Sequence, residues 1–491
     1  MMEHSPNNII KIRLFTALIS LLLSTFAFYS DDIINRDGIL YMDMAAAFLQ
    51  GGLTETARLY DWPFFSIIVA YLHKLTGLPL EISAGVLNSL FFVLLTDTLI
   101  LICNKILPNS RQLVIAAVFI LCFQVINDYR DFIIRDIGYW ALCSLTLYRF
   151  ILFLEAPSIK NATIWQLVAV ISILFRIEGI VILLGLPLYL FATQHPKLAI
   201  KHSLQLSYLL IIAAFITSIV IASQSGLTNG FGKLSTVSSY INPNNFVAPL
   251  NSKTLVLANQ VLNKYSKEYG GLILISGLLI MLLYKLIKAL SFGYIFLYVA
   301  SWWQSRNNQA FPYQWLLTYF TAINLLILIV FLFKQYFMVT RYSVITLIGL
   351  LLLLLPKICH FLEHAWLSKN RIYISITGLI LLICLVDSFT QSNSKFFIKN
   401  TALWASQNLP ANSTVLTDDE FIHYYFNTLT PMAVLSKKKN LKHYQKYDYL
   451  TVVVKRRNTT LKNSLKNMNI EPFYCQENKR GDQACVYKIS P

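Results

Sequence analysis

Acidic residues are scarce in this chain. Of 491 residues only 24 are Asp or Glu, against 41 Lys and Arg, and charged residues of all kinds make up 13%. So little charge excludes an ordinary soluble globular protein. With 56% hydrophobic residues and a mean hydropathy of +0.56, the composition is that of a polytopic membrane protein. The formal charge of +17 comes with no nucleic-acid motif. Loops that retain Lys and Arg on the cytoplasmic side, together with a basic C-terminal tail, account for it. A glycine-rich phosphate loop and a dinucleotide fingerprint are both missing, so nothing points to a bound nucleotide. No CxxC pair or His/Cys cluster occurs, which argues against structural zinc. Cys103, Cys122, Cys143, Cys359 and Cys384 lie in apolar stretches, where Cys behaves as a small hydrophobe. There is no internal repeat and no low-complexity tract. Leu14–Tyr29, preceded by Lys11 and Arg13, lacks a small-x-small cleavage site, so an uncleaved first helix is expected rather than a signal peptide.

What is present is a series of long apolar runs. Spans of roughly twenty residues are expected at 14–30, 82–104, 112–127, 137–153, 163–176, 177–192, 204–223, 271–289, 312–333, 342–356 and 372–389. Residues 62–79 and 290–303 are apolar but short or interrupted, and read as re-entrant or interfacial helices. The 163–192 stretch is either two short spans meeting at Arg176 or one long helix with a polar interruption. With about eleven spans, Lys11/Arg13, Lys105/Arg111, Arg149/Lys160, Lys197/Lys201, Lys285/Lys288/Arg306 and Lys357/Lys369/Arg371 fall on one side, the cytoplasm. Loops 31–81, 128–136, 224–270 and 334–341 then face outward, as does the tail.

From about residue 392 the apolar runs stop. Phe396–Asn408 reads as an amphipathic helix, Thr414–Leu416 and Tyr449–Val454 as strands, and Asp419–Phe426 as a helix. Pro472–Cys475 and Ala484–Ile489 flank a polar turn and suggest a closing hairpin. The expected fold is an α-helical polytopic membrane protein with a C-terminal soluble α/β domain. Residues 1–391 form the transmembrane domain, whose first external loop is 31–81, and residues 392–491 an external, periplasmic domain. On an oxidising face, Cys475 and Cys485 across that turn are expected to form a disulfide.

The few carboxylates are not spread evenly. Asp31, Asp32, Asp37, Asp43 and Asp61 crowd into the loop after the first span, with Tyr41 between Asp37 and Asp43. An ordinary solvated loop between two spans is the plain alternative. Charges also recur beside apolar residues further on: Asp131, Arg135 and Asp136 in DYRDFIIRDIGYW, Arg176 and Glu178 in LFRIEGI, and Lys334, Arg341 and Tyr342 in FKQYFMVTRY. Ionisable groups at membrane depth cost roughly 2.5–3.5 kcal/mol each, so they usually line a cavity or mark a site. Any single one also reads as an interfacial anchor or a structural ion pair. Carboxylates beside arginines and a lysine at a lipid interface suit transfer of a sugar from a lipid phosphate. Arg holds the anionic leaving group through its fork, and a carboxylate takes the proton of an attacking hydroxyl.

These motifs, in this order, resemble the C-type glycosyltransferase superfamily, in the branch containing protein O-mannosyltransferases and the lipid A aminoarabinose transferase. Asp37, Tyr41 and Asp43 match that branch's first-loop spacing, and Asp61-Trp62-Pro63 its entry to a juxtamembrane helix. Arg135-Asp136 matches its second acidic site, Arg176-Ile177-Glu178-Gly179 its Arg-x-Glu-Gly, and Arg341-Tyr342 its late Arg-Tyr. ALWASQNLPANSTVLTDD and YDYLTVVV resemble parts of its external domain. Gly38 departs from the pattern, standing where many members carry a second acidic residue.

The resemblance implies an inverting glycosyltransferase of the bacterial inner membrane that moves a sugar from a polyprenyl-phosphate donor to a lipid, polysaccharide or protein acceptor. In that scheme Asp37 is the general base. Asp61 and Asp136 shape the acceptor and sugar site, and Arg341, Lys334 and Arg176 neutralise the phosphate. Tyr41, Asp43, Arg135, Glu178 and Tyr342 complete the substrate site, and the 224–270 loop orders over bound donor. No organic cofactor is implied. A divalent metal is compatible with the superfamily at large, but nothing in this sequence requires one. Three other classes compete: a flippase or transporter of lipid-linked sugars, a polymerase or ligase of lipid-linked oligosaccharide, and a non-enzymatic membrane sensor. A transporter predicts paired broken helices or inverted repeats, a polymerase does not need the loop aspartates, and a sensor leaves the buried charges unexplained.

Overall fold

Lipid offers no hydrogen bonds, so apolar runs form helices, which close their backbone bonds internally. The computed structural model describes residues 6–30, 33–223, 242, 244–304, 310–389, 395–428, 433–438, 444–467 and 470–489. Its helices begin with α1 (Pro6–Ser30), followed by α2 (Arg36–Leu59) and α3 (Phe64–Thr76) in the first loop. Next come α4 (Leu80–Ile106), α5 (Ser110–Leu121), the short α6 (Gln124–Asn127), α7 (Asp136–Glu155), α8 (Ile159–Phe175), α9 (Gly179–Gly185), α10 (Tyr189–Thr193) and α11 (Pro196–Ser223). The membrane part ends with α12 (Asn244–Gln260), α13 (Gly270–Leu290), α14 (Phe292–Gln304), α15 (Gln314–Gln335), α16 (Val344–Leu367) and α17 (Arg371–Phe389).

Among the described residues seven helices are long and apolar enough to cross a membrane; α3, α5, α8 and the Gly179–Thr193 run are apolar but shorter. Every stretch expected to span carries helix. The 163–192 stretch takes the first of its two readings: α8 stops at Arg176, whose backbone is extended, and α9 starts at Gly179. Part of the 224–270 loop, residues 224–241 and 243, lies outside the described residues.

One expectation, the side on which Lys285 lies, needs correction. Residues 290–303, read as a re-entrant or interfacial helix, form the short helix α14. In α14, Tyr294, Leu297 and Ser301 line one buried face, and the Tyr294 hydroxyl donates to the Phe119 carbonyl at 2.8 Å. The chain bends at Ser291, which has φ 70°, and α14 continues to Gln304, bonded to Tyr373 near the start of α17. Because α13 and α14 are thus two halves of one broken path, Lys285 falls in the first half. Its ammonium donates to the Met338 carbonyl, close to Arg341, and not at the end of the bundle that holds the Lys105–Glu155 pair.

That pair, at 2.7 Å, marks one end of the bundle together with Tyr313 on Glu155 and with Asn109 and Gln112 on Glu363. The other end carries the C-terminal domain. There the Ile34 N–H donates to the Tyr425 hydroxyl at 2.9 Å and Gln124 donates to Asp387 at 2.5 Å.

The C-terminal domain packs α18 (Phe396–Asn408) and α19 (Glu420–Thr428) with a five-stranded sheet, and α20 (Thr459–Asn467) follows its third strand. The strands are β1 (Thr414–Thr417), β2 (Val434–Lys437), β3 (Tyr449–Val454), β4 (Pro472–Glu477) and β5 (Gln483–Lys488), in the order β2-β1-β3-β5-β4. β1 runs parallel to β2 and β3, while β5 is antiparallel to β3 and β4. Asp448 ties the start of β1 by accepting from the Thr414 N–H at 2.7 Å and its hydroxyl at 2.9 Å. Cys475 and Cys485 are cross-strand neighbours, 4.2 Å apart at Cα, and are disulfide-bonded. β2 was not foreseen: it is a short edge strand running into lysines, a composition that protects edges and reads as loop.

Candidate active site

The site forms at the domain-bearing end, where the first loop meets the segment between α5 and α7. That segment, residues 123–135, is fastened by polar side chains. Arg130 is 3% exposed and donates to the Ser20 carbonyl (2.9 Å), the Ser24 hydroxyl (2.6 Å) and Asn127 Oδ1 (2.7 Å), with its guanidinium 4.7 Å from the centre of the Phe92 ring. All of these partners are neutral. Asn88 holds the Phe132 carbonyl at 3.0 Å, and Asn35 Oδ1 accepts from the Ile133 N–H at 2.7 Å.

Gly38 explains the departure noted in the sequence. A Cβ there would stand 3.0 Å from Asn35 Oδ1 and 3.1 Å from Ile133 Cβ. The first turn of α2 thus lies close to the 123–135 segment at residue 38, and a side chain there requires Asn35 and Ile133 to give by a few tenths of an ångström. Gly38→Ala should gain helix propensity of about 0.5–1 kcal/mol but lose about 1–3 kcal/mol to overpacking. Gly38→Asp should lose more. Melting of the purified protein checks this; an unchanged or raised Tm for Gly38→Asp would show that the contact is not tight.

On this frame the Arg341 guanidinium reaches across 304 positions of sequence to ion-pair with the Asp37 carboxylate. Arg341 comes from the 3-10 turn Thr340–Ser343 that leads into α16. A second cluster lies alongside. Arg176 ion-pairs with Asp136 and with both oxygens of Glu178, the Nε–Oε2 bond measuring 3.2 Å. The Tyr342 ring links the two clusters, with the Arg341 guanidinium carbon 5.2 Å from its centre and that of Arg176 4.6 Å away. Gly138 makes this possible: a Cβ there would fall 2.4 Å from the Phe175 ring, so its absence lets α8 deliver Arg176 onto the first turn of α7.

The other expected residues divide. Tyr41 is buried against Phe65, and burial holds its hydroxyl well above the ordinary tyrosine range. Arg135 donates to the Tyr60 hydroxyl at 3.0 Å. Asp43 does not join them. It is on another side of α2, towards Lys437 and Glu420 of the C-terminal domain. Partial burial raises its carboxyl, Lys437 opposes, and Glu420 adds to the rise. Asp61 is exposed in the turn between α2 and α3, and Lys334 is in the last turn of α15. Sequence reasoning missed Tyr60, Asn35 and Arg130. Arg130 was visible inside DYRDF, while Tyr60 and Asn35 carry no signal outside the fold.

The charge balance is uneven. Arg176 has two carboxylates at hand and its side chain is 11% exposed, whereas Arg341 has one and is 21% exposed. Arg341 Nε and Arg135 Nη1 are buried and make no hydrogen bond among the described residues. Buried donors in that state favour an incoming anion. Among the described residues no three His, Cys, Asp or Glu side chains gather as a metal would need. A cavity of about 360 Å³, lined by Tyr29, Ile34, Glu81, Asp131, Lys399 and Tyr425 among others, lies at the junction with the C-terminal domain.

No family model matches the chain, and no curated protein matches it. Among solved structures, the crystal structure of ArnT from Cupriavidus metallidurans in the apo state aligns with 97% of this chain and 97% of its own, at 13% identity and a TM-score of 0.47. A likeness that distant carries no weight for activity, which is read from the site.

Proposed function

We propose that this chain is an integral-membrane glycosyltransferase that moves a sugar from a polyprenyl-phosphate donor to an acceptor hydroxyl on the outer face of the bacterial inner membrane. The observation that carries the reading is the meeting of Asp37 with Arg341, the latter keeping an unbonded buried Nε–H, at one end of an apolar bundle. In the reaction the acceptor oxygen attacks the anomeric carbon and its proton passes to Asp37. The carbon–oxygen bond to phosphate breaks, and the phosphate leaves with the electron pair. Attack opposite the leaving group inverts the anomeric centre. Arg341 and Arg135 hold the leaving phosphate through the donors that have no partner. Arg176, already occupied, holds Asp136 and Glu178 in place around the sugar. The reaction as written uses no organic cofactor and routes nothing through a metal.

Two measurements test this. Full-length protein in lipid discs, given a polyprenyl-phosphate sugar, should release polyprenyl phosphate in step with glycosylated acceptor. No turnover across hexosyl and pentosyl donors would refute the activity. Reporter fusions after residue 391 should score as external and those at 105–111 as cytoplasmic. The reverse pattern would place the site on the wrong face and sink the reading.

A further inference from the structure

The C-terminal domain carries five exposed cations on two neighbouring turns. Lys455, Arg456 and Arg457 follow β3, and Lys479 and Arg480 form the β4–β5 turn. The turns are joined: the Arg456 N–H donates to Asp482 Oδ1 at 2.8 Å, and a Cβ placed on Gly481 would stand 3.5 Å from Arg456 Cδ. That backbone bond is the main reason the Asp482 carboxyl titrates below the ordinary range, with Lys455 and Arg480 also contributing. Among the described residues, none of the five side chains forms an ion pair.

Strand directions say where these cations point. β1 ends beside Asp419, which faces Arg36 of α2, and β2 ends at Lys437, which faces Asp43. β3 is parallel to β1, so its end points the same way, as does the turn between antiparallel β4 and β5. Height can be read as well. The Thr401 hydroxyl bonds the Ala484 carbonyl at 3.2 Å, so α18 and β5 are level there. From Thr401 back to Phe396 is about 7.5 Å along the helix. From Ala484 back to Gly481 is about 10 Å along the strand. Phe396 shares a cavity with Tyr29 and Ser30, the last residues of the spanning helix α1. The basic turn is therefore level with the end of a membrane span.

We propose that these five residues dock the C-terminal domain on the phosphates of anionic phospholipid headgroups, fixing its height and tilt over the site. Cations at that level attract an anionic surface within about a Debye length. The proposal does not depend on the glycosyltransferase reading.

The test is hydrogen exchange on the full-length protein in discs of zwitterionic lipid alone or with one third phosphatidylglycerol. Segments 455–458 and 477–483 should exchange about fivefold more slowly with the anionic lipid, and 0.5 M salt should remove the difference. A variant with all five changed to Gln should show no lipid dependence. Lys479→Gln with Arg480→Gln, confined to an exposed turn, should lose part of it even if the fivefold variant folds poorly. Equal exchange in both discs, or protection that survives the substitutions, would overturn the proposal.

Discussion

Asp37→Asn should lower sugar transfer by about 10²–10⁴-fold, the usual worth of a general base, while leaving the protein folded. Asn keeps the size of Asp and can still accept a hydrogen bond from Arg341, but it cannot hold the acceptor's proton. The alternative role for Asp37 is structural, as an acidic residue in the first turn of α2. Asn serves helix N-termini about as well as Asp, so that role predicts near-normal turnover. Loss of the Arg341 ion pair does not blur the comparison. The Asp37 side chain is 39% exposed and that of Arg341 21%, a setting in which a pair contributes about 0–1 kcal/mol. Turnover measured with saturating donor, beside a melting curve, separates the readings. A folded Asp37→Asn protein with near-normal turnover would remove Asp37 from the role and pass it to Asp136, since Asp43 is turned towards Lys437 and Glu420 of the C-terminal domain.

Much of the membrane part was legible because lipid forces one solution on an apolar run, the closed helix. Charges at membrane depth also narrowed the site: Asp37, Arg135, Asp136, Arg176, Glu178, Arg341 and Tyr342 all come to one end of the bundle. Their pairing was not legible. That Arg176 is taken up by Asp136 and Glu178, leaving Arg341 to Asp37, depends on Gly138 admitting Phe175, a contact between helices that no local pattern encodes. Asp43 stands apart from that group for a simpler reason. Residues 37 and 41 share a helix face, but 43 is turned well away from both, and only the C-terminal domain shows what it meets. The division of the chain near residue 290 was legible, but not that α14 carries the path of α13 onward, which reverses the placement of Lys285.

Arg341→Ala should cost about 10²–10³-fold in transfer, the worth of a preorganised donor at a site of developing charge, and should weaken donor binding too. Arg341→Lys should fall between Ala and wild type, because an ammonium keeps the charge but offers no planar fork to a phosphate. Lys334→Ala should cost less than either, since it removes a point charge on a flexible stem. The ion pair with Asp37 adds a complication that can be turned to use. Arg341→Ala leaves Asp37 without its partner, so part of any loss reflects that carboxylate and not the phosphate. A double-mutant cycle resolves the two, because residues in contact couple and independent ones add. If Arg341 acts on the leaving group while Asp37 takes the proton, Asp37→Asn should leave donor binding close to wild type and Arg341→Ala should not. The double variant should then bind donor as weakly as Arg341→Ala alone. If Arg341 serves only to orient Asp37, both single variants will bind donor normally, and the double variant will turn over no more slowly than Asp37→Asn. Donor binding at equilibrium, measured with a non-transferable polyprenyl-phosphate sugar, decides between them. Normal binding by Arg341→Ala would assign the phosphate to Arg135, whose buried Nη1 also makes no hydrogen bond among the described residues.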